Sequence, residues 1–110
     1  MESQYARQRT IEDIMNDDVN IQITGYVKEI LNNNQIILKD NTGEIKIDLG
    51  EVEFPYKKND LINVIGELNI TMAGEKFIQA KIIQDMRDLN FEYYEKLYKI
   101  KKEFIKPDSP

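Results

Sequence analysis

Between residues 19 and 85, short runs of alternating apolar and polar residues follow one another, separated by turn residues. The first run contains Gly25, and the next two surround an Asp-Asn-Thr-Gly turn at 40–43. A period of two places the apolar side chains on one face of a β-strand, so each run is expected to bury one face. Several short strands at this spacing predict a small β-barrel.

Five strands are predicted, at 19–30, 35–40, 44–49, 61–70 and 76–83. Gly25 is expected to allow a bend or a close backbone approach, and Gly43 to supply a positive φ in a hairpin turn. The fourth strand is apolar on both faces, which indicates either burial on both sides or a bulge near Gly66. The side chains expected inside are Ile21, Ile23, Val27, Ile36, Leu38, Ile45, Ile47, Ile65, Ile78, Ala80 and Ile82.

Both flanks of the barrel have their own patterns. Residues 1–9 are polar and expected to be mobile, and Thr10 is expected to cap a short helix that plugs or flanks the barrel. A longer amphipathic helix is predicted between an Asn90 cap and Pro107. The domain prediction is therefore a tail and short helix at 1–18, the barrel at 19–86, a C-terminal helix at 87–106 and a tail at 107–110.

Composition excludes several classes of function. The chain of 110 residues has no Cys and no His, so disulfides, thiolate nucleophiles, imidazole acid–base chemistry and the usual zinc sites are excluded. Carboxylates such as Asp40 and Glu44 are explained by turn and surface chemistry, so no catalytic residue, metal or cofactor is expected. No apolar run reaches the roughly 20 residues needed to span a bilayer, and an intracellular protein of the cytoplasm, associated with the nucleoid, is expected.

Four segments carry a resemblance to a known family. They read Ile-Thr-Gly-Tyr-Val at 23–27, Leu-Lys-Asp-Asn-Thr-Gly-Glu-Ile at 38–45, Asp-Leu-Ile-Asn-Val-Ile-Gly-Glu-Leu at 60–68 and Phe-Ile-Gln-Ala-Lys-Ile-Ile at 77–83. This part of the chain resembles the OB-fold of the replication protein A and Stn1 group, also seen in anticodon-binding domains. The C-terminal helix is similar to that of the middle and small subunits of replication protein A, and the resemblance implies a helix that mediates subunit assembly.

The fold that follows is all-β, a five-stranded OB-fold barrel with a short N-terminal helix and a C-terminal amphipathic helix. Its usual ligand face is formed by the second and third strands and the adjoining loops. Candidate nucleic-acid-binding residues are the aromatic, apolar and basic side chains expected there and in the 50–60 loop. These are Tyr26, Ile37, Lys39, Lys46, Lys57, Lys58, Lys76 and Phe77. The alternative is that the aromatic rings complete the core and the lysines are ordinary surface residues.

The C-terminal helix supplies the candidate partner surface. Tyr93, Leu97, Ile100 and Phe104 form a stripe at helical spacing, widened by neighbouring aromatic and apolar residues. The predicted partner-binding residues are Tyr94, Leu97, Tyr98, Ile100 and Phe104. If the stripe is exposed it marks an interaction surface; the alternative is that the helix packs fully on its own barrel.

The function interpretation is a non-catalytic subunit of a DNA replication or repair assembly. Its expected partner is a protein, such as a DNA polymerase or another single-strand-binding subunit, with weak binding of single-stranded DNA in addition. The alternative is an autonomous single-stranded nucleic-acid-binding protein, for DNA or RNA. The net charge of −5 favours the first, because strong non-specific binding of nucleic acid requires a basic surface.

Overall fold

The computed structural model describes residues 6–32 and 34–104, without the side chain of Phe104. Eight elements follow one another along the chain. They are strand β1 (Arg7–Gln8), a 3-10 turn (Ile11–Asp13), strands β2 (Asn20–Asn32), β3 (Gln35–Lys39), β4 (Glu44–Asp48), β5 (Leu61–Ile70) and β6 (Lys76–Asp85), and helix α1 (Phe91–Phe104). No helix in the described ranges is long and apolar enough to cross a membrane.

Strands β2 to β6 close into the predicted five-stranded barrel. The long strand β2 makes closure possible, because it pairs with β5 from Asn20 to Tyr26 and with β3 from Tyr26 to Asn32. Strands β3 and β4 form a hairpin, β4 pairs in parallel with β6, and β6 pairs antiparallel with β5. Residues 49–60 connect β4 to β5, and the structure shows no helix there.

The barrel interior contains most of the apolar side chains that the alternation predicts. Ile21, Ile23, Val27, Ile36, Leu38, Ile45, Ile47, Ile78 and Ala80 are buried, together with Ile14, Leu49, Ile62 and Val64. Gly25 has the predicted close approach, since a Cβ there would lie 2.5 Å from the carbonyl oxygen of Lys39. Phe54 and Tyr56 pack against this core from the β4–β5 connection.

The prediction that Ile82 points inward is wrong, and Ile65 is only half-buried. Ile65 pairs with Ile82 while Gly66 pairs with Ala80, so Lys81 is an extra residue in β6. A bulge of one residue reverses which face the following side chains occupy. Ile82 is consequently 52 % exposed, and Ile83 packs against the core in its place.

The N-terminal segment also differs from expectation. Arg7–Gln8 is not a mobile tail but a short strand that pairs in parallel with β2, with Arg7 opposite Ile21. The short helix is a single 3-10 turn, and the side chain of Thr10 makes no capping bond. Instead, Asp40 Oδ2 accepts from the Ile11 N–H at 2.9 Å and Thr42 Oγ1 accepts from the Glu12 N–H at 3.0 Å.

The β3–β4 turn is therefore built around Asp40 rather than around glycine. The positive-φ glycines are Gly50 and Gly74, so the expectation for Gly43 is wrong. Asp40 is buried, and its Oδ1 accepts from the N–H groups of Thr42 and Gly43. Gly43 lies instead against the 3-10 turn, where a Cβ would come within 3.3 Å of Ile11 Cγ2.

Candidate partner and nucleic-acid surfaces

Helix α1 begins where the sequence predicts, and its first residue anchors it to the barrel. Asn90 Oδ1 accepts from the Tyr93 N–H at 3.0 Å, which caps the helix. Phe91 is buried, and its ring meets that of Tyr26 edge-on with centroids 5.2 Å apart. Tyr94 stacks on Phe91 at 6.0 Å. An aromatic cluster of Tyr26, Phe91 and Tyr94 thus holds the start of α1 against β2.

Further along, α1 is held mainly by polar contacts. Gln8 Nε2 donates to the Tyr94 hydroxyl at 2.5 Å, which links the helix to β1. The Tyr98 hydroxyl donates to Asp13 Oδ2 at 2.9 Å, and Lys102 Nζ lies 2.8 Å from the same oxygen. The Asn41 amide donates to Glu95, joining α1 to the β3–β4 turn. The N-terminal segment therefore adds a second link between the helix and the barrel, beside the direct contacts of Phe91 and Glu95.

Asp13 is the electrostatic centre of this second link. Burial would raise the pKa of Asp13, but hydrogen bonds from Lys102 and Tyr98 outweigh it and hold this pKa below its ordinary value. Burial and the neighbouring carboxylate raise the pKa of Tyr98. Asp13 is thus charged and Tyr98 neutral near pH 7, which is the pairing that the hydrogen bond requires.

We expect Asp13→Asn to lower the amide hydrogen-exchange protection of α1 about fivefold, near 1 kcal/mol, because it removes the charged acceptor of the bonds from Tyr98 and Lys102. The effect is no larger because Lys102 is half exposed and its pairing is partly screened. A carboxylate with a lowered pKa stabilises the fold above the pKa of the unfolded chain, about 4, and this contribution is lost as the pH falls below that value. Protection measured from pH 7 down to pH 3 should fall in the natural chain and change less in the variant. Glu12 is an exposed neighbour of Asp13. An equal loss of hydrogen-exchange protection in Glu12→Gln would contradict a specific role for Asp13.

The opposite side of α1 is an exposed apolar strip, formed by Tyr93, Leu97 and Ile100. Their side chains are 62 %, 36 % and 53 % exposed, at the i, i+4 and i+7 positions of one helix face. Leu97 and Tyr93 also line a cleft of about 210 Å³ that reaches Gln8. The strip lies where the sequence predicts a partner surface.

The five predicted partner residues divide between the two sides of α1. Leu97 and Ile100 belong to the exposed strip, whereas Tyr94 and Tyr98 are half-buried and bonded to Gln8 and Asp13. The side chain of Phe104 lies outside the described residues, as does Ile105. Tyr94 and Tyr98 therefore position the helix.

The predicted nucleic-acid residues fall into two groups. Ile37, Lys46 and Phe77 are direct neighbours across β3, β4 and β6, with Lys46 exposed and the two apolar side chains half-buried. Lys76 is half-buried beside this row, with its Nζ 3.4 Å from the carbonyl oxygen of Ile14. This first group lies on the usual ligand face of the fold.

The second group brings together residues from β2, β3 and the β4–β5 loop, which are far apart in the sequence. Tyr26 and Lys39 are cross-strand partners, and Lys58 reaches them from the β4–β5 loop. Together they line a groove of about 540 Å³, with Lys28 and Asn59 among the other lining residues. Lys57 is exposed in the same loop without lining the groove. Neither Lys28 nor Asn59 was among the residues predicted from the sequence to bind nucleic acid. The one sequence signal was the position of Asn59 in the loop that also carries Lys57 and Lys58.

The chain is similar to one known protein family and to several solved structures. A family model described as "Telomere-capping, CST complex subunit" matches residues 7–108. A chain of the S. pombe Stn1-ten1 complex superimposes with a TM-score of 0.74 at 16 % identity, covering 90 % of this chain and 93 % of that chain. The telomere capping protein Ten1 from Saccharomyces pombe gives 0.70 at 17 %, covering 90 % and 99 %. None of the curated proteins matches.

One chain of a replication protein A heterotrimer bound to ssDNA also superimposes, with a TM-score of 0.63 at 16 % identity, covering 78 % of this chain and 72 % of that chain. At these identities the structural likeness shows the fold, and it confirms the resemblance to the OB-folds of replication protein A. The resemblance to Stn1 is corrected by the family match, which points to the Ten1 side of that complex. The chain belongs to the family of telomere-capping CST complex subunits.

Proposed function

We propose that this chain is the small, non-catalytic OB-fold subunit of a telomere-capping assembly, and that the exposed strip on α1 binds a second OB-fold subunit of the Stn1 type. The observation that carries the proposal is the division of α1 into two sides. One side is used by Tyr94, Tyr98 and Lys102 for contacts within the chain, and the other leaves Tyr93, Leu97 and Ile100 exposed.

The chemistry of the strip favours a helix as its partner. Three large apolar side chains spaced at i, i+4 and i+7 form a ridge that packs between the side chains of a second helix. Aromatic residues such as Tyr93 are enriched among the residues that dominate interface energies. The similarity to a chain of the S. pombe Stn1-ten1 complex supports an OB-fold subunit as the owner of that helix.

The proposal is tested by producing the chain with the Stn1-type subunit of the same organism and measuring molar mass by light scattering after size-exclusion chromatography. The expected result is a one-to-one heterodimer, with the chain monomeric when it is alone. A homodimer formed through α1, or two subunits that elute separately at micromolar concentration, would overturn the proposal.

A telomere-capping role corresponds to the nucleus, in place of the cytoplasmic, nucleoid-associated location expected from the sequence. The more general prediction of a replication or repair subunit, including a polymerase as partner, becomes the narrower proposal of telomere capping. The alternative of an autonomous nucleic-acid-binding protein is weakened as a main role by the net charge of −5.

A further inference from the structure

We infer that one end of the barrel is a further protein-binding surface, and that it takes a basic amphipathic helix. The surface, which we call the end patch, consists of Met15, Val19, Ile70 and Met72. The first three side chains are 53 %, 59 % and 44 % exposed, and that of Met72 is completely exposed. The end patch shares no residue with the exposed strip on α1, so the inference goes beyond the proposed function and does not depend on it.

Strand register brings Val19 and Ile70 to the same end of the barrel. The Leu68 N–H donates to the Val19 carbonyl oxygen at 2.8 Å, so Val19 lies opposite Leu68 on the neighbouring strand. Leu68 packs against the core, and Ile70 lies two residues further along the same side of β5. Val19 likewise lies two residues before the buried Ile21. Both side chains therefore continue inward-facing rows past the point where the barrel interior ends.

The turn that carries Met15 lies beside Ile70. Lys76 is the cross-strand partner of Ile70, and its Nζ lies 3.4 Å from the carbonyl oxygen of Ile14, the residue before Met15. The Met15 N–H donates to Asp18 Oδ2 at 2.8 Å, and the Asp18 N–H donates to the Met15 carbonyl oxygen at 3.0 Å. Met15 is therefore fixed in an ordered turn whose apolar side chain stays in water.

Met72 lies at the tip of the β5–β6 hairpin, where the backbone donors are already paired. The Thr71 N–H donates to the Glu75 carbonyl oxygen at 2.8 Å, and the Gly74 N–H donates to the Thr71 carbonyl oxygen at 2.9 Å. The Glu75 N–H donates to Thr71 Oγ1 at 3.1 Å. Because an added β-strand binds through free backbone groups, this end favours a partner that is bound through side chains.

Acidic side chains surround the end patch. Asp17, Glu67 and Glu75 are exposed, and none of them makes an ion pair in the part of the chain that the structure describes. Two basic side chains at this end are engaged, since Arg9 pairs with a neighbouring aspartate at 3.0 Å and Lys76 is half-buried. Three unpaired carboxylates repel nucleic acid and anionic lipid, and they attract lysine and arginine.

An amphipathic helix with lysine or arginine beside its apolar face fits both properties of the end patch. Its apolar side chains would cover the four exposed ones, while the flanking cations would meet the carboxylates. Two of the four are methionines, which are enriched at protein interfaces and adapt to apolar side chains of different shape. Four apolar side chains gathered at one end also differ from the single exposed residues of an ordinary surface.

The test adds a synthetic amphipathic helix of about 18 residues, with leucine on one face and lysine on the other, to the full chain with isotope-labelled methionine methyl groups. The NMR signals of Met15 and Met72 should shift, whereas that of Met86, half-buried between β6 and α1, should not. Replacing each methionine by leucine assigns the signals. Val19→Asp with Ile70→Asp should weaken binding of the peptide at least tenfold.

The charge of the end patch is tested separately. Asp17→Asn, Glu67→Gln and Glu75→Gln together should weaken binding about fivefold at about 50 mM salt, and less at about 300 mM, because salt screens exposed charges. The matched control removes the same charge at exposed positions of β2 and the β4–β5 connection, in Glu29→Gln, Glu51→Gln and Glu53→Gln. This control should change the affinity less than about twofold.

Leu97→Gln with Ile100→Gln removes the exposed strip of α1 and should leave the shifts of Met15 and Met72 in place, which separates this result from the proposed function. Thermal melting checks the folding of each variant. A shift of Met86 as large as that of Met15, an equal loss in the charge control, or no shift at about 1 mM peptide would overturn the inference. So would an equal response to a leucine–glutamate peptide of the same spacing or to oligothymidine, or a chain that dimerises through the end patch without peptide.

Discussion

Replacing Leu97 and Ile100 together with aspartate should lower the affinity for the partner subunit at least 100-fold while the barrel remains folded. Both side chains belong to the exposed strip, being 36 % and 53 % exposed, and neither is part of the hydrophobic core of the barrel. Truncation of a large apolar side chain at a hot spot of an interface costs about 2 kcal/mol or more, and two buried carboxylates without partners add a desolvation cost. Affinity is measured by calorimetry and folding by thermal melting.

Two further variants separate the possible causes of such a loss. Aspartate has a lower helix propensity than leucine or isoleucine, so Leu97→Lys with Ile100→Lys repeats the test with a good helix former. Val19→Asp with Ile82→Asp makes the same kind of change at exposed apolar positions away from α1 and should bind normally. If both strip variants fold and still bind with full affinity, the interface lies elsewhere. If both unfold, the strip belongs to the protein's own core.

Gly66→Ala should destabilise the barrel by about 3 kcal/mol or more, near the upper end of the range for overpacked sites. A Cβ at Gly66 would overlap the carbonyl oxygen of Gln79 and come within 2.8 Å of Ile78 Cγ2 and 3.0 Å of Ala80 Cα. Two of these atoms belong to the backbone of the paired strand β6, which cannot move without breaking its pairing with β5. Chemical denaturation of the natural chain and the variant measures the difference in unfolding free energy.

Gly43→Ala is the matched control. Gly43 has no positive φ, and the nearest atom to its Cβ is a side-chain methyl of Ile11 at 3.3 Å, which can shift by a few tenths of an ångström. The expected cost is below about 1 kcal/mol, since surface changes of this kind are small. Similar losses at both glycines would mean that the close approach at Gly66 is not what limits the barrel.

The strand pattern was predictable because the barrel buries one face of each strand. Alternation locates β4, predicted at 44–49 and observed at Glu44–Asp48, and Gly25 marks the point where the Lys39 backbone comes close. The shared face of Tyr93, Leu97 and Ile100 was also predictable from helical spacing alone, although its exposure was not. Both results depend on residues near one another in sequence, where local geometry decides which side chains share a face.

The register shift between β5 and β6 falls at Ile65 and Gly66, where the sequence indicates a bulge as one of two possibilities. The sequence could not show that the extra residue lies in β6, because this depends on how the two strands pair. One extra residue, Lys81, exchanges the roles of Ile82 and Ile83, and the alternation of the strand by itself contains no sign of the change. The N-terminal segment was mispredicted for a related reason. Arg7–Gln8 is polar, and only pairing with β2 and the bond from Gln8 to Tyr94 make it ordered.

By itself the sequence determined the five strands of the barrel, the position of α1 and the absence of thiol and imidazole chemistry, since these follow from periodicity, capping and composition. Only the tertiary structure decided which side of α1 faces the barrel, through Asp13 and Gln8. It also decided that Lys58 joins Tyr26 and Lys39 in one groove. The physical reason is that these contacts join residues far apart in the chain, and their meeting depends on barrel closure and strand register.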